Sequence, residues 1–314
     1  MIRSATASLK RVARKGFESS SVAAAARRIA AGRGHSLVLL YHRVLPAAAR
    51  TGGVVPTVTS ERFDRQIQTL GEMGRIVPLA ELLQEDPGRT PRFALTFDDD
   101  YVTHVEWVLP ALRRWGIAGA FFLSGRSLHG VGGYWFEALE QLIVDRGLRR
   151  VGVLLGMAEA NAATLALACE KDPHLQRIVA RECEDSGAPI LLSRDIQSLA
   201  HAGMTIGFHT LEHRALTELA DAELEDAVVR GRDELAAVAG SSLVLFAYPH
   251  GRGDGRSAVK VRKAGYVGAW TGRARPMRPG DNPYLLGRWE PGGLAVDDFV
   301  TSVSIRLIRE ARTL

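Results

Sequence analysis

The stretch Arg92-Phe93-Ala94-Leu95-Thr96-Phe97-Asp98-Asp99-Asp100-Tyr101 decides how the chain is read. Phe93 to Phe97 are apolar or β-favouring, and three carboxylates follow at once. That is the pattern of a buried strand delivering acids to a pocket mouth. Adjacent Asp side chains repel one another unless a cation, a hydrogen-bond network or solvent absorbs the charge, so a metal is the first partner to seek. Working outward, Ser36–Tyr41 reads as a strand ending at His42-Arg43, and Gly119–Leu123, Thr205–His209, Leu243–Tyr248 and Tyr266–Trp270 read as further strands. Helical patterns separate them from Ser60, at Val105–Trp115, over one long helix Ala222–Ala239, and at Ser257–Ala264, with a last helix over Asp297–Leu314. This alternation predicts an α/β fold with a parallel sheet, whose chemistry sits at the carboxyl ends of the strands. Residues 125–200 break the rhythm and read as a helical insertion that roofs the site or supplies substrate contacts. Within it, Tyr134, Trp135 and Phe136 either stack on sugar rings or pack at a helix start.

Composition narrows the class. With 314 residues, 46% hydrophobic content and 24% charged, the chain is neither disordered nor fibrous. Its two cysteines, Cys169 and Cys183, lack zinc-site spacing and read as small core hydrophobes, without a disulfide framework. The net charge of +5 is uneven: residues 1–33 hold eight Lys or Arg against the single Glu18, leaving 32 basic and 34 acidic groups in residues 34–314. The basic arm, residues 1–34, reads either as a solvated helical extension or as an interfacial helix touching anionic lipid. It shows neither a signal-peptide apolar run nor a nucleic-acid motif, and no stretch of the chain approaches a spanning helix. The expected location is cytoplasmic, at the inner membrane face if the arm binds lipid.

The strand Thr205–Phe208 leads into His209-Thr210-Leu211-Glu212-His213. Histidines four apart share one face of a helical turn, and two imidazoles with one carboxylate suit a borderline cation such as Zn2+. Three protein ligands leave an open position, as a catalytic site needs.

Together, TFDDD at 96–100, HTLEH at 209–213 and FAYPHG at 246–251 resemble the polysaccharide deacetylase family, the NodB-homology or carbohydrate esterase family 4 proteins. The resemblance is strongest to the poly-N-acetylglucosamine deacetylases and spans about residues 36–290, with the insertion inside one domain of residues 35–314. It implies a distorted (β/α) barrel with fewer than eight strands and a divalent metal, zinc before cobalt or nickel. The implied reaction is metal-dependent removal of N-acetyl groups from amino sugars of a glycan or glycoconjugate. Carried over residue by residue, Asp98 is the base that takes a proton from metal-bound water, and Asp99, His209 and His213 are the ligands. Thr210 holds the histidine loop. Tyr248, Pro249 and the backbone N–H of His250 meet the substrate or its oxyanion.

The chain departs from the family pattern in several places. The late histidine that many members use as acid is absent from Leu285-Leu286-Gly287-Arg288-Trp289, so His42, as in members with an N-terminal acid, takes that role, with His250 as rival. The family arginine that orients the base is Ala247, for which Arg43 or Arg288 could substitute. Asp100 replaces a glycine and is expected to cap the helix that follows it. Two rival readings remain: an O-acetyl esterase, and a glycan-binding member without catalysis. Oligomeric state is not legible.

Overall fold

The computed structural model describes residues 35–84, 90–183 and 190–308; the basic arm and its lipid contact lie outside the described residues. Nine strands are formed among them: β1 (Ser36–Tyr41), β2 (Arg43–Leu45), β3 (Thr57–Thr59), β4 (Arg75–Ile76), β5 (Arg92–Asp98), β6 (Ala120–Leu123), β7 (Thr205–Phe208), β8 (Leu245–Ala247) and β9 (Gly268–Trp270). β2 and β3 pair with each other; the rest make one sheet in the order β1-β5-β6-β7-β8-β9, with β4 beside β5. Every named pair is parallel. Residues 285–289 lie between the ends of this series, with parallel bridges from Leu286 to Trp270 and from Trp289 to Leu39. Backbone bonds Leu40 N–H to Trp289 O (2.9 Å) and Trp289 N–H to Val38 O (2.9 Å) complete the ring. The result is the expected distorted barrel.

Strand periodicity sorts the side chains. Leu37, Leu39 and Tyr41 of β1 and Phe93, Leu95 and Phe97 of β5 face the helices, in the larger core. Val38 and Ala94 face inward with Phe122, Leu245, Ala247 and Trp270. The same parity sends Thr96 and Asp98 into the barrel, so one buried strand supplies both the core and the first acid.

The helices are α1 (Ser60–Met73), α2 (Leu109–Trp115), α3 (Trp135–Arg146), α4 (Leu148–Leu154), α5 (Ala162–Lys171), α6 (Pro173–Glu182), α7 (Ser193–His201), α8 (Asp221–Ala227), α9 (Arg232–Ala239), α10 (Gly255–Lys263) and α11 (Val296–Ile308). The long helix expected over 222–239 is two helices, because Gly231, at φ 83°, adopts a left-handed backbone between them. A Cβ there would also meet His129 Nε2 at 3.2 Å. The insertion carries its own core. Leu139, Leu142, Val151, Leu165 and Val179 pack together with Cys169 and Cys183, both buried as the small core hydrophobes they read as in the sequence. No described helix is long and apolar enough to cross a membrane.

At Gly207, in the strand that presents His209, a Cβ would lie 2.5 Å from the Phe122 ring. Replacing Gly207 by Ala should therefore cost about 1–3 kcal/mol through overpacking, read as a lower urea midpoint with an unchanged slope.

Candidate active site

Four non-glycine residues occupy the left-handed backbone region among the described residues: Asp99 (φ 71°), Thr210 (φ 61°), His213 (φ 53°) and His250 (φ 55°). Each such residue costs about 1–3 kcal/mol, and such strain concentrates where a site dictates geometry. All four lie just past strands β5, β7 and β8, in the three loops singled out by sequence. The histidine loop is not the helical turn expected from the four-residue spacing. No helix forms over residues 209–213, and the two strained residues bend the chain so that His213 returns to His209, with ring centroids 5.0 Å apart.

Asp99, His209 and His213 each turn one ligand atom to a common point, all within 4.8 Å of one another. His209 donates Nδ1–H to Ala247 O at 2.8 Å, which fixes the tautomer and leaves a bare Nε2 lone pair facing Asp99 Oδ1 at 3.7 Å. Asp99 Oδ1 is buried and has no hydrogen-bond partner among the described residues. His213 Nε2 stands 3.3 Å from it. Burial, abetted by neighbouring positive groups, pulls His209 to about 4 and His213 well below the usual imidazole range, so both are neutral. Burial, opposed by His42 but helped by Asp98 and Asp100, pushes Asp99 up to about 7. Neutral imidazoles around an unsatisfied carboxylate are a donor set that fits a divalent cation.

Asp98 is differently held. Arg288, fully buried, grips it with both guanidinium nitrogens, Nη1 to Oδ1 at 2.6 Å and Nη2 to Oδ2 at 2.7 Å. Burial would raise this carboxyl, but the Arg288 charge and hydrogen bonds, with His209, hold it below the usual carboxylate range. Arg288 thus stands where the missing family arginine was expected to act. Its guanidinium lies 5.4 Å over the ring of Phe122, in the same interior cluster as Ala247. Arg43, the other candidate, is instead paired with Glu140.

At the end of β1, which pairs with β5 in register Tyr41 to Phe97, His42 Nδ1 meets Glu290 Oε1 at 2.7 Å. Burial lowers the imidazole, but Glu290, Asp99 and Asp98 outweigh it and lift it to about 9. The folded value is raised, so the stabilisation from this contact is present below pH 6.5 and is lost as pH rises through about 9.

Other expected residues fall elsewhere. Tyr248 is buried, donating its hydroxyl to Tyr284 O at 2.8 Å, and neither it nor Pro249 lines the cavity. Thr210 Oγ1 is buried without a hydrogen-bond partner among the described residues, so the expected tether through this hydroxyl is not made. His250 lines the cavity and sends Nε2 to His213 O at 3.1 Å. Asp100 does not cap the helix after it. Its oxygens accept the amides of Ser124 (2.8 Å) and Arg126 (3.0 Å), capping the turn after β6 instead. Tyr134 and Phe136 stack on each other and meet His213 at steep ring angles, with centroids 5.1 and 5.4 Å from it, while Trp135 and Phe136 line the cavity.

Two residues escaped the sequence reading. Glu290 follows Arg288 by two positions, the strand spacing that puts both on one face, and only the irregularity of Leu285–Trp289 obscured it. His104 donates Nε2–H to the carbonyls of Asp98 and Asp99, each at 3.1 Å, and so clamps the strained peptide. Burial lowers it to about 4, keeping it neutral.

The cavity, of about 540 Å3, collects His42, Asp98, Asp99, His209, His213, His250 and Glu290 at one end. Residues 85–269 match the family model described as polysaccharide deacetylase, and the chain belongs to that family. Among solved structures, IcaB from Ammonifex degensii is similar at 21% identity and TM-score 0.60, over 88% of this chain and 98% of that one. The Streptococcus pyogenes deacetylase PplD in complex with acetate is similar at 15% identity and TM-score 0.58, over 86% and 98%. A de-N-acetylase from Aggregatibacter actinomycetemcomitans shares 13% identity at TM-score 0.51, over 81% and 94%. At these identities the likeness is one of fold. No curated protein matches the sequence.

Replacing Arg288 by Met leaves Asp98 buried and unpaired, and should cost about 3–5 kcal/mol at pH 7 in urea unfolding. The depressed Asp98 pKa stabilises the native chain above the ordinary value of 3.8, and that contribution is lost as pH falls further. The gap between native and variant should therefore narrow below about pH 4.

Proposed function

We propose that the chain is a metal-dependent hydrolase that removes N-acetyl groups from the amino sugars of a polysaccharide or glycoconjugate. One observation carries this reading: the ligand atoms of Asp99, His209 and His213, with Asp99 Oδ1 buried and unsatisfied, stand beside a charged, arginine-held Asp98. A divalent cation on that cluster, with zinc preferred by the two imidazoles and cobalt or nickel as alternatives, would activate a water and polarise the acetyl carbonyl. Asp98 accepts the water's proton, since it holds no ligand position and Arg288 fixes both its oxygens. His42, at the end of the neighbouring strand β1 and protonated through neutral pH, gives a proton to the departing amine. Glu290 holds the Nδ1 edge of that imidazole and directs Nε2 toward the substrate. The backbone N–H of His250 is the protein donor we assign to the developing oxyanion, and loss of one such donor typically costs ~10²–10³ in rate.

An O-acetyl ester would use the same groups, and comparing acetate release from N-acetylated and O-acetylated sugars separates the two activities. A glycan-binding role without turnover is disfavoured because base, acid and ligand set stand together.

The first test measures metal content and acetate release from N-acetylglucosamine oligomers. The native chain should hold about one equivalent of metal, and Asp98→Asn should keep it while losing at least about 10²-fold in rate. A protein that takes up no metal when zinc is supplied would sink the mechanism. In a second test, Glu290→Gln should draw the alkaline limb of kcat/KM down from about pH 9 toward 6.5, because Glu290 is the chief group raising His42. An unmoved limb would remove His42 from the role of acid.

A further inference from the structure

The cavity lining is of two chemical kinds. Beyond the histidines and acids, its wall is built by the loop ending at Pro56, by Trp135 and by helix α5. Ala163, Ala166, Leu167 and Glu170 of that helix line the cavity at positions i, i+3, i+4 and i+7, a single stripe. The opposite face, Leu165 and Cys169, is buried in the insertion core. Leu167 is therefore not needed for packing, and it is 48% exposed.

Most amides of the loop at residues 52–56 are already engaged. The amides of Gly52, Val54 and Val55 all donate to the Glu140 carboxylate, at 2.9, 2.7 and 3.3 Å, and Pro56 has no N–H. Among the described residues, none that lines the cavity is Lys, Arg, Asn, Gln, Ser or Thr, so the polar side chains of its lining are confined to carboxylates, histidines, Tyr101 and the indole N–H of Trp135. Four carboxylates, those of Asp98, Asp99, Glu170 and Glu290, line it. A second sugar seated between Val54, Val55, Pro56, Trp135, Ala166 and Leu167 would leave hydroxyls unpaired, and Glu170, the one charged side chain of the stripe, is already paired with Arg252 Nη2 at 2.8 Å.

Resting on the deacetylase reading, we infer that the substrate is amphiphilic: an N-acetylated sugar bearing a neutral apolar group, which lies between Val54, Val55, Pro56 and Trp135 on one side and Ala166 and Leu167 on the other. The apolar group leaves water for a surface that makes no demand for hydrogen bonds.

The test compares acetate release by the full chain, loaded with zinc, from methyl and octyl N-acetyl-β-glucosaminide below the micelle concentration and from N-acetylglucosamine tetramer. The octyl glycoside should exceed the methyl by at least about tenfold in kcat/KM, mostly through KM. Leu167→Gln should erase most of that preference and leave the methyl substrate unchanged; Ala163→Gln, on the same exposed stripe, should act in the same direction. Equal rates on the two glycosides, or a clear preference for the tetramer, would overturn the inference and leave the deacetylase reading standing. Calorimetric binding of octyl glucoside, which has no acetamide, gives an independent readout. Saturable binding weakened by Leu167→Gln upholds the apolar subsite even if no acetylated sugar is turned over, the result that would sink the deacetylase reading alone. Absence of binding to the native chain overturns the subsite.

Discussion

The bidentate contact between Arg288 and Asp98 is the interaction on which the rest of the site depends. A lone carboxylate inside a barrel would either take up a proton or unfold its surroundings, because the interior cannot solvate charge. A guanidinium with matched geometry keeps it ionised. The arginine comes from the segment that bridges β9 and β1, so closure of the barrel and preparation of the acid are one event. Asp98 and Asp99 are neighbours in sequence and both buried, yet only one is neutralised by a protein cation. The other keeps a buried oxygen without a hydrogen-bond partner among the described residues, which fits the cation proposed for it.

The fold was largely legible because β5 carries its assignment in its residues: apolar alternation of Phe93, Leu95 and Phe97, then acids. The parallel order follows from strands alternating with helices, and the three loops that matter announced themselves by their histidines and carboxylates. What could not be read was anything set by the path of the chain after a strand. The spacing of His209 and His213 suggested a helical turn, but the same proximity is reached through two left-handed residues. Asp100 looked like a cap for the helix beside it in sequence, whereas three-dimensional neighbourhood gave it the amides after β6. Arg288 was one of two candidates, and they are separated by partners distant in sequence: Arg288 grips Asp98, whereas Arg43 turns to Glu140. Glu290 and His104 act through positions relative to residues far away in sequence or across a turn, for which a linear pattern has no period.

Backbone strain and its restraint share the same small volume. Asp99 holds a left-handed conformation that its side chain disfavours, and the His104 ring, edge-on to Phe97 and Phe121 at 5.9 and 5.3 Å, ties down the carbonyls on either side of it. A neutral imidazole is well matched to that position, having one donor to share between two carbonyls and no charge to desolvate. The aromatic cluster behind β5 therefore supports the ligand loop directly, and packing in the larger core sets the direction in which Asp99 points.

Glu140 belongs to the insertion, yet its carboxylate receives the amides of a loop that precedes β3 and also pairs with Arg43. The two segments are thus parts of a single graft. An attempt to shorten the insertion, or to exchange it with that of a relative, would strand three backbone donors and a guanidinium at the cavity rim. Modular transfer between such proteins would have to carry residues 43–56 and the helix bearing Glu140 together, as one unit of inheritance.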